Sequence, residues 1–113
     1  MKKYCFDIDG VICETIKSNY KSSKPYLSVI KTINDLYANG NFIIIFTSRY
    51  MGRNNENITN AKKQGYKFTY NQLIKWGLKF NKLIFGKPSF DVVVDDKSIF
   101  YNKNWFKKIR KKN

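Results

Sequence analysis

Tyr4-Cys5-Phe6-Asp7-Ile8-Asp9-Gly10-Val11 is the stretch from which the fold is read. The apolar start predicts a buried strand over residues 4–8, and two aspartates and a glycine stand at its C-terminal end. Burying unpaired charge costs several kcal/mol. A carboxylate pair in that place therefore points to a cation, a substrate or a reaction. A second apolar run, Val92-Val93-Val94, ends in Asp95-Asp96. If both runs are strands of one parallel sheet, Asp7, Asp9, Asp95 and Asp96 meet at one edge. That arrangement asks for a divalent metal.

The chain has 113 residues, 42% of them hydrophobic and 17% aromatic. That is enough for one domain, residues 1–113, with a real core. No apolar run approaches the ~20 residues needed to span a bilayer. Asp7 and Asp9 interrupt the apolar stretch behind Lys2 and Lys3, so the start does not read as a signal peptide. Cys5 and Cys13 lack CxxC spacing and are expected to stay reduced in a cytoplasm. The net charge is +14, from 22 Lys and Arg against 8 Asp and Glu. Such a balance attracts anions: phosphorylated metabolites, nucleic acid or acidic surfaces. The same charge also fits a plain compositional bias toward Lys, Asn and Ile.

There is no histidine. This excludes Ser-His-Asp and Cys-His nucleophilic systems and His-based zinc sites. Any metal should be a hard cation held by oxygen. Acid and base work falls to Asp, Glu, Lys or Tyr.

The remaining elements follow from periodicity and punctuation. Residues 10–24 form a polar connector. Leu27, Ile30, Ile33, Leu36 and Tyr37 predict a helix over 26–38, stopped by Asn39-Gly40. The unbroken run Phe42-Ile43-Ile44-Ile45-Phe46 suits a central parallel strand covered on both faces. A polar helix over 54–64 ends at Gly65, and Thr69 caps a further helix that closes at Gly77. Residues 83–85 and 91–95 read as strands. Residues 105–112 read as a short basic helix, overlapping a basic tail at about 107–113. The fold class is α/β, a mostly parallel sheet with helices on both faces. Its site lies beyond the C-terminal ends of the strands.

Four stations resemble the haloacid dehalogenase superfamily of phosphohydrolases, and they cover nearly the whole chain. Asp7-Ile8-Asp9-Gly10-Val11 resembles its first motif, DxDG[TV]. Phe42-Ile43-Ile44-Ile45-Phe46-Thr47 resembles its second, an apolar strand ending in Thr or Ser. Lys87 in Gly86-Lys87-Pro88 resembles its third. Val92-Val93-Val94-Asp95-Asp96 resembles its fourth. More narrowly, the short chain, the FTSR stretch and the FGKPSxDxxxDDK segment are similar to the small capsule- and polysaccharide-biosynthesis phosphatases of that superfamily.

The resemblance implies a small three-layer Rossmann-like domain and a Mg²⁺-dependent phosphomonoesterase acting on a sugar phosphate or similar small phosphate. It implies that Asp7 attacks phosphorus and that Asp9 serves as acid and then base. It also implies metal ligation by Asp7, by Asp9 through its backbone carbonyl, and by Asp95, with Asp96 beside it. Thr47 would bind a phosphoryl oxygen and Lys87 would neutralise its charge. Ser48 and Arg49 join Thr47 as phosphate- or substrate-binding candidates, and Arg53 is a second arginine at the same place. Each residue also has a plain structural reading: Asp9 in a turn, Thr47, Ser48 and Asp95 as caps, Lys87 on the surface.

Neither the segment from Asp9 to Phe42 nor that from Thr47 to Lys87 has room for a folded cap domain, so the expectation is a capless core with an open site. Only four residues separate Lys87 from Asp91, and a parallel crossover needs a dozen or more. Either the strand before Lys87 is truncated and oddly placed, or residues 83–85 are not a regular parallel strand. Two other functions fit parts of the sequence: a capless polynucleotide phosphatase acting on nucleic-acid termini, and a non-catalytic basic module whose tail engages nucleic acid. The second leaves the four aspartates unexplained. The aromatic content, eight Tyr and nine Phe, makes a homo-oligomer an expectation as well.

Overall fold

A computed structural model describes residues 1–112, with side chains through Ile109. Three parallel strands make the main sheet: β1 (Lys3–Phe6), β4 (Phe42–Thr47) and β5 (Lys82–Phe85), in the order β1-β4-β5. A separate two-stranded ribbon pairs β2 (Cys13–Glu14) with β3 (Lys24–Pro25) inside the segment expected to be plain connector. Helices α1 (Leu27–Ala38) and α2 (Ile58–Lys75) link the strands of the sheet, and α3 (Trp105–Lys112) follows later in the chain. Among the described residues no helix is long and apolar enough to cross a membrane.

The central place of β4 agrees with its unbroken apolar run, but its cover does not. The register sets Phe6 beside Ile45 and Ile45 beside Leu83, with Thr47 beside Phe85. These residues are buried. Period-two alternation sends their neighbours Cys5, Lys82 and Ile84 to the other face, where all three are exposed. The core therefore lies on one side of the sheet. Trp105 of α3 reaches Phe6 at 5.8 Å between ring centroids, and Tyr66 of α2 reaches Phe85 at 5.6 Å. Val29, Ile30, Ile33 and Leu36 of α1 complete the same core. Helices on both faces were expected. Two successive right-handed crossovers running the same way across a sheet place their helices on the same side, so the expected layer on the far face is replaced by open sheet. β1 is accordingly an edge strand exposed at Lys3 and Cys5, not a buried one.

The expected break at Gly65 is absent. α2 runs straight through it for 18 residues, with Thr69 buried in its interior instead of capping a second helix. The glycine serves packing: a Cβ placed there would lie 2.0 Å from Cε2 of Tyr50. Asn57 caps the true start, accepting a hydrogen bond from the Asn60 N–H at 2.9 Å.

Residues 91–95 form no strand. β5 is a regular parallel strand and runs on into Lys87, whose N–H donates to the Thr47 carbonyl at 3.2 Å. The few residues after it cannot return the chain to the start of another parallel strand. Val92, Val93 and Val94 are 80%, 61% and 95% exposed. Of the basic tail, Lys107 and Lys108 lie exposed on α3, while Asn113 and the side chains beyond Ile109 lie outside the described residues.

Gly65→Ala tests the close approach of Tyr50. Overpacking of this kind costs about 1–3 kcal/mol, against the ~1 kcal/mol that alanine gains in a helix. The variant should melt below the parent in thermal unfolding followed by circular dichroism, although propensity alone would raise it.

Candidate active site

The chain leaves β1 through a tight loop. The N–H groups of Val11 and Ile12 donate to the Ile8 carbonyl at 3.1 and 2.8 Å, and the Gly10 N–H donates to Cys13 at 2.8 Å. Gly10 has φ +84°, a conformation that glycine takes without a Cβ penalty. Tyr101 fastens the outside of this loop, its hydroxyl donating to the Gly10 carbonyl at 2.5 Å. The loop turns Asp7 and Asp9 into different surroundings.

Asp7 keeps a partly open carboxylate, 31% exposed. Its Oδ1 accepts from the Ile8 N–H at 2.8 Å, and its Oδ2 lies 3.4 Å from Nζ of Lys87. Lys87 thus reaches the first aspartate from the end of β5, and its ammonium also sits 5.3 Å from the centre of the Phe90 ring. Burial pushes the Asp7 carboxyl above its ordinary value; the Lys87 charge and the Ile8 N–H pull it down less strongly.

Asp9 points inward and is clamped. Arg49 donates to it twice, Nε to Oδ2 and Nη2 to Oδ1, both at 2.9 Å. Thr15 donates to Oδ1 at 2.5 Å, and the Cys13 thiol lies 3.6 Å from the same oxygen. Burial pushes the Cys13 thiol up, so it stays protonated and acts as a donor. Arg49 itself is 1% exposed. Its Nη1 donates to Gln72 at 2.7 Å, and its guanidinium lies 4.5 Å from the centre of the Tyr20 ring. Arg49 was expected to face substrate; instead it is a buried structural cation. Arg53 stays exposed, donates to the Ser18 carbonyl at 3.4 Å and lies over the Tyr20 and Tyr50 rings.

Thr47 is fully buried at the end of β4, and its Oγ1 accepts from the Arg49 N–H at 3.1 Å. Ser48 is half-buried next to it, its carbonyl accepting from the Met51 N–H at 3.1 Å. Asp7, Thr47 and Lys87 therefore meet where three adjacent strands end. Asp95 and Asp96 do not join them: both are exposed, and Asp95 accepts from the Lys97 N–H at 2.8 Å as a local cap. Among the described residues no three Asp, Glu, Cys or His side chains converge on a metal position. The expected four-carboxylate edge is thus not assembled. The donors at hand still suit Mg²⁺, which keeps several waters and takes one or two carboxylates plus a substrate phosphate.

Thr15, Tyr20 and Gln72 escaped sequence reading. Each lies in a stretch with no motif, and only the fold carries them to Asp9 and Arg49. Glu56 escaped as well; its carboxylate holds the Ser89 N–H and hydroxyl at 2.9 and 3.1 Å and ties down the segment after Lys87.

No family model and no curated protein matches the chain. Among solved structures, the crystal structure of an MCSG target from Vibrio cholerae is similar, with a TM-score of 0.82 and 23% identity. The likeness is one of fold. It covers 99% of this chain and 98% of the other, so it includes every element that carries the site.

The raised Asp7 sets a stability test. An acid whose folded-state value lies above its unfolded one disfavours folding once ionised. That penalty appears as pH rises through the ordinary carboxylate value of about 3.9. Asp7→Asn keeps an acceptor for the Ile8 N–H and removes the charge. It should melt above the parent at neutral pH, with the gap closing as the pH falls below about 4. A gap independent of pH would contradict the assignment.

Proposed function

We propose that the chain is a phosphomonoester hydrolase of the haloacid dehalogenase type, with a Rossmann-like core and no cap domain, working through an aspartyl-phosphate on Asp7. The observation that carries this reading is the Asp7–Lys87 pair at the strand ends, 3.4 Å apart and partly exposed. A partly exposed carboxylate beside a lysine, with no histidine in the chain to act as nucleophile or base, suits attack on a phosphate whose charge the lysine offsets.

The steps follow from the two aspartates. An Asp7 oxygen bonds to phosphorus while the ester P–O bond breaks, and Asp9 gives its proton to the departing alkoxide. Water then attacks the phosphorus, Asp9 takes the proton, the bond to Asp7 breaks, and inorganic phosphate leaves. Lys87 holds the charge that accumulates on the phosphoryl oxygens. Thr47 is buried, so its part is to fix the turn that carries Ser48 past the site. Mg²⁺, when bound at Asp7 and the substrate, would relieve the repulsion between the carboxylate and the phosphate dianion. The substrate in this reading is a sugar phosphate or similar small phosphate of surface-polysaccharide synthesis, with cytoplasmic localisation. The open site and the positive charge favour such anions.

Phosphate release from p-nitrophenyl phosphate with Mg²⁺ tests the reading. Activity should vanish in Asp7→Asn and on chelation of the metal, and should return when Mg²⁺ is restored. Release that survives Asp7→Asn would sink the mechanism.

A further inference from the structure

We infer that Arg49 is a positioning residue for Asp9, and that it leaves Oδ2 as the one oxygen able to carry the catalytic proton. This rests on the phosphatase reading above. A carboxylate offers about four lone-pair sites, two on each oxygen. Oδ1 is full: it takes Nη2 of Arg49 at 2.9 Å and Thr15 at 2.5 Å, with the Cys13 thiol at 3.6 Å. Among the described residues Oδ2 takes only Nε of Arg49, at 2.9 Å. The Asp9 side chain is 28% exposed, and the unfilled lone pair on Oδ2 is the one left for a leaving group to meet.

The donors around Oδ1 cannot easily turn away. Thr15 has a single hydroxyl proton and gives it to Asp9. In its 2.6 Å contact with Ser23, the serine must therefore be the donor. Ser23 thus holds Thr15 in place. On the far side, Gln72 accepts from Nη1 of Arg49 at 2.7 Å while its own amide donates to the Tyr20 carbonyl at 2.7 Å. The Tyr20 ring covers the guanidinium face at 4.5 Å. Arg49 is thereby fixed in plane and in rotation, and its fork presents two parallel N–H groups to Asp9. Lysine cannot reproduce that fork.

Leaving-group dependence separates positioning from mere structure. An alkyl phosphate needs its alkoxide protonated, whereas p-nitrophenolate departs as a stable anion. Both kcat/KM values would be measured for the parent, Asp7→Asn, Arg49→Lys and Thr15→Val, with thermal melting as the check on folding. General-acid catalysis contributes about 10²–10⁴-fold, so a misaligned Asp9 should lower the alkyl-to-nitrophenyl ratio about tenfold or more in Arg49→Lys and in Thr15→Val. Should Arg49→Lys fail to melt cooperatively, Thr15→Val decides alone, since it reaches Asp9 from another element. An unchanged ratio, with both esters slowed alike or neither slowed, would overturn the positioning role while the phosphatase reading stands. A parent that hydrolyses neither ester would remove that reading, and this role with it.

Discussion

A guanidinium with no access to water must have its N–H groups and its charge answered inside the protein. Arg49 meets that demand by joining three parts of the chain that are far apart in sequence. Its backbone belongs to the turn after β4, its fork grips Asp9 in the loop after β1, and its third nitrogen leans on Gln72 of α2. Removing one partner of such a buried pair is strongly destabilising, typically by 3–5 kcal/mol. The position of the loop after β1 therefore depends on the arginine as much as on the strand before it. The packing of α2 is linked to it as well: the Tyr20 ring covers the guanidinium and meets Tyr50, which in turn lies against Gly65.

The two aspartates are made unlike by this arrangement. They stand two residues apart on one loop, yet Asp7 faces a half-buried lysine and Asp9 a fully buried arginine. One carboxylate pairs with a single lysine at the strand ends. The other has its orientation set by donors from several elements. Two carboxylates in different environments can take different chemical parts, which is how neighbouring acids come to divide the work in hydrolytic sites.

Local rules carried much of the sequence reading. The helix over 26–38, the central strand over 42–46, the short strand before Lys87 and the helix over 105–112 all appear, since each is marked by the residues of its own segment. The convergence of Asp7, Thr47 and Lys87 followed from strand ends alone. Tertiary contact decided the rest. Gly65 reads as a stop until Tyr50 is seen to fill the space above it. Val92-Val93-Val94 has the apolar run of a strand, but its tether is too short to bring it back into line. Arg49 resembles a substrate contact in sequence, and nothing near it announces the Tyr20 and Gln72 that cover it.

The open face and outer edge of the sheet give the excess of lysine another meaning. β1 is the outer strand of the described sheet, and Cys5, Ile84 and the three valines are exposed. Such an edge is a template for pairing with another chain, and charge is one of the devices that blunt it. Lys2, Lys3 and Lys82 border this side of the sheet in a chain of net charge +14. Like-charge repulsion between molecules reaches only as far as the Debye length, which falls from about 30 Å at 0.01 M to about 3 Å at 1 M salt. The colloidal behaviour of the protein is thus tied to ionic strength: dilute buffer keeps the bare sheets of separate molecules apart, and concentrated salt lets them approach.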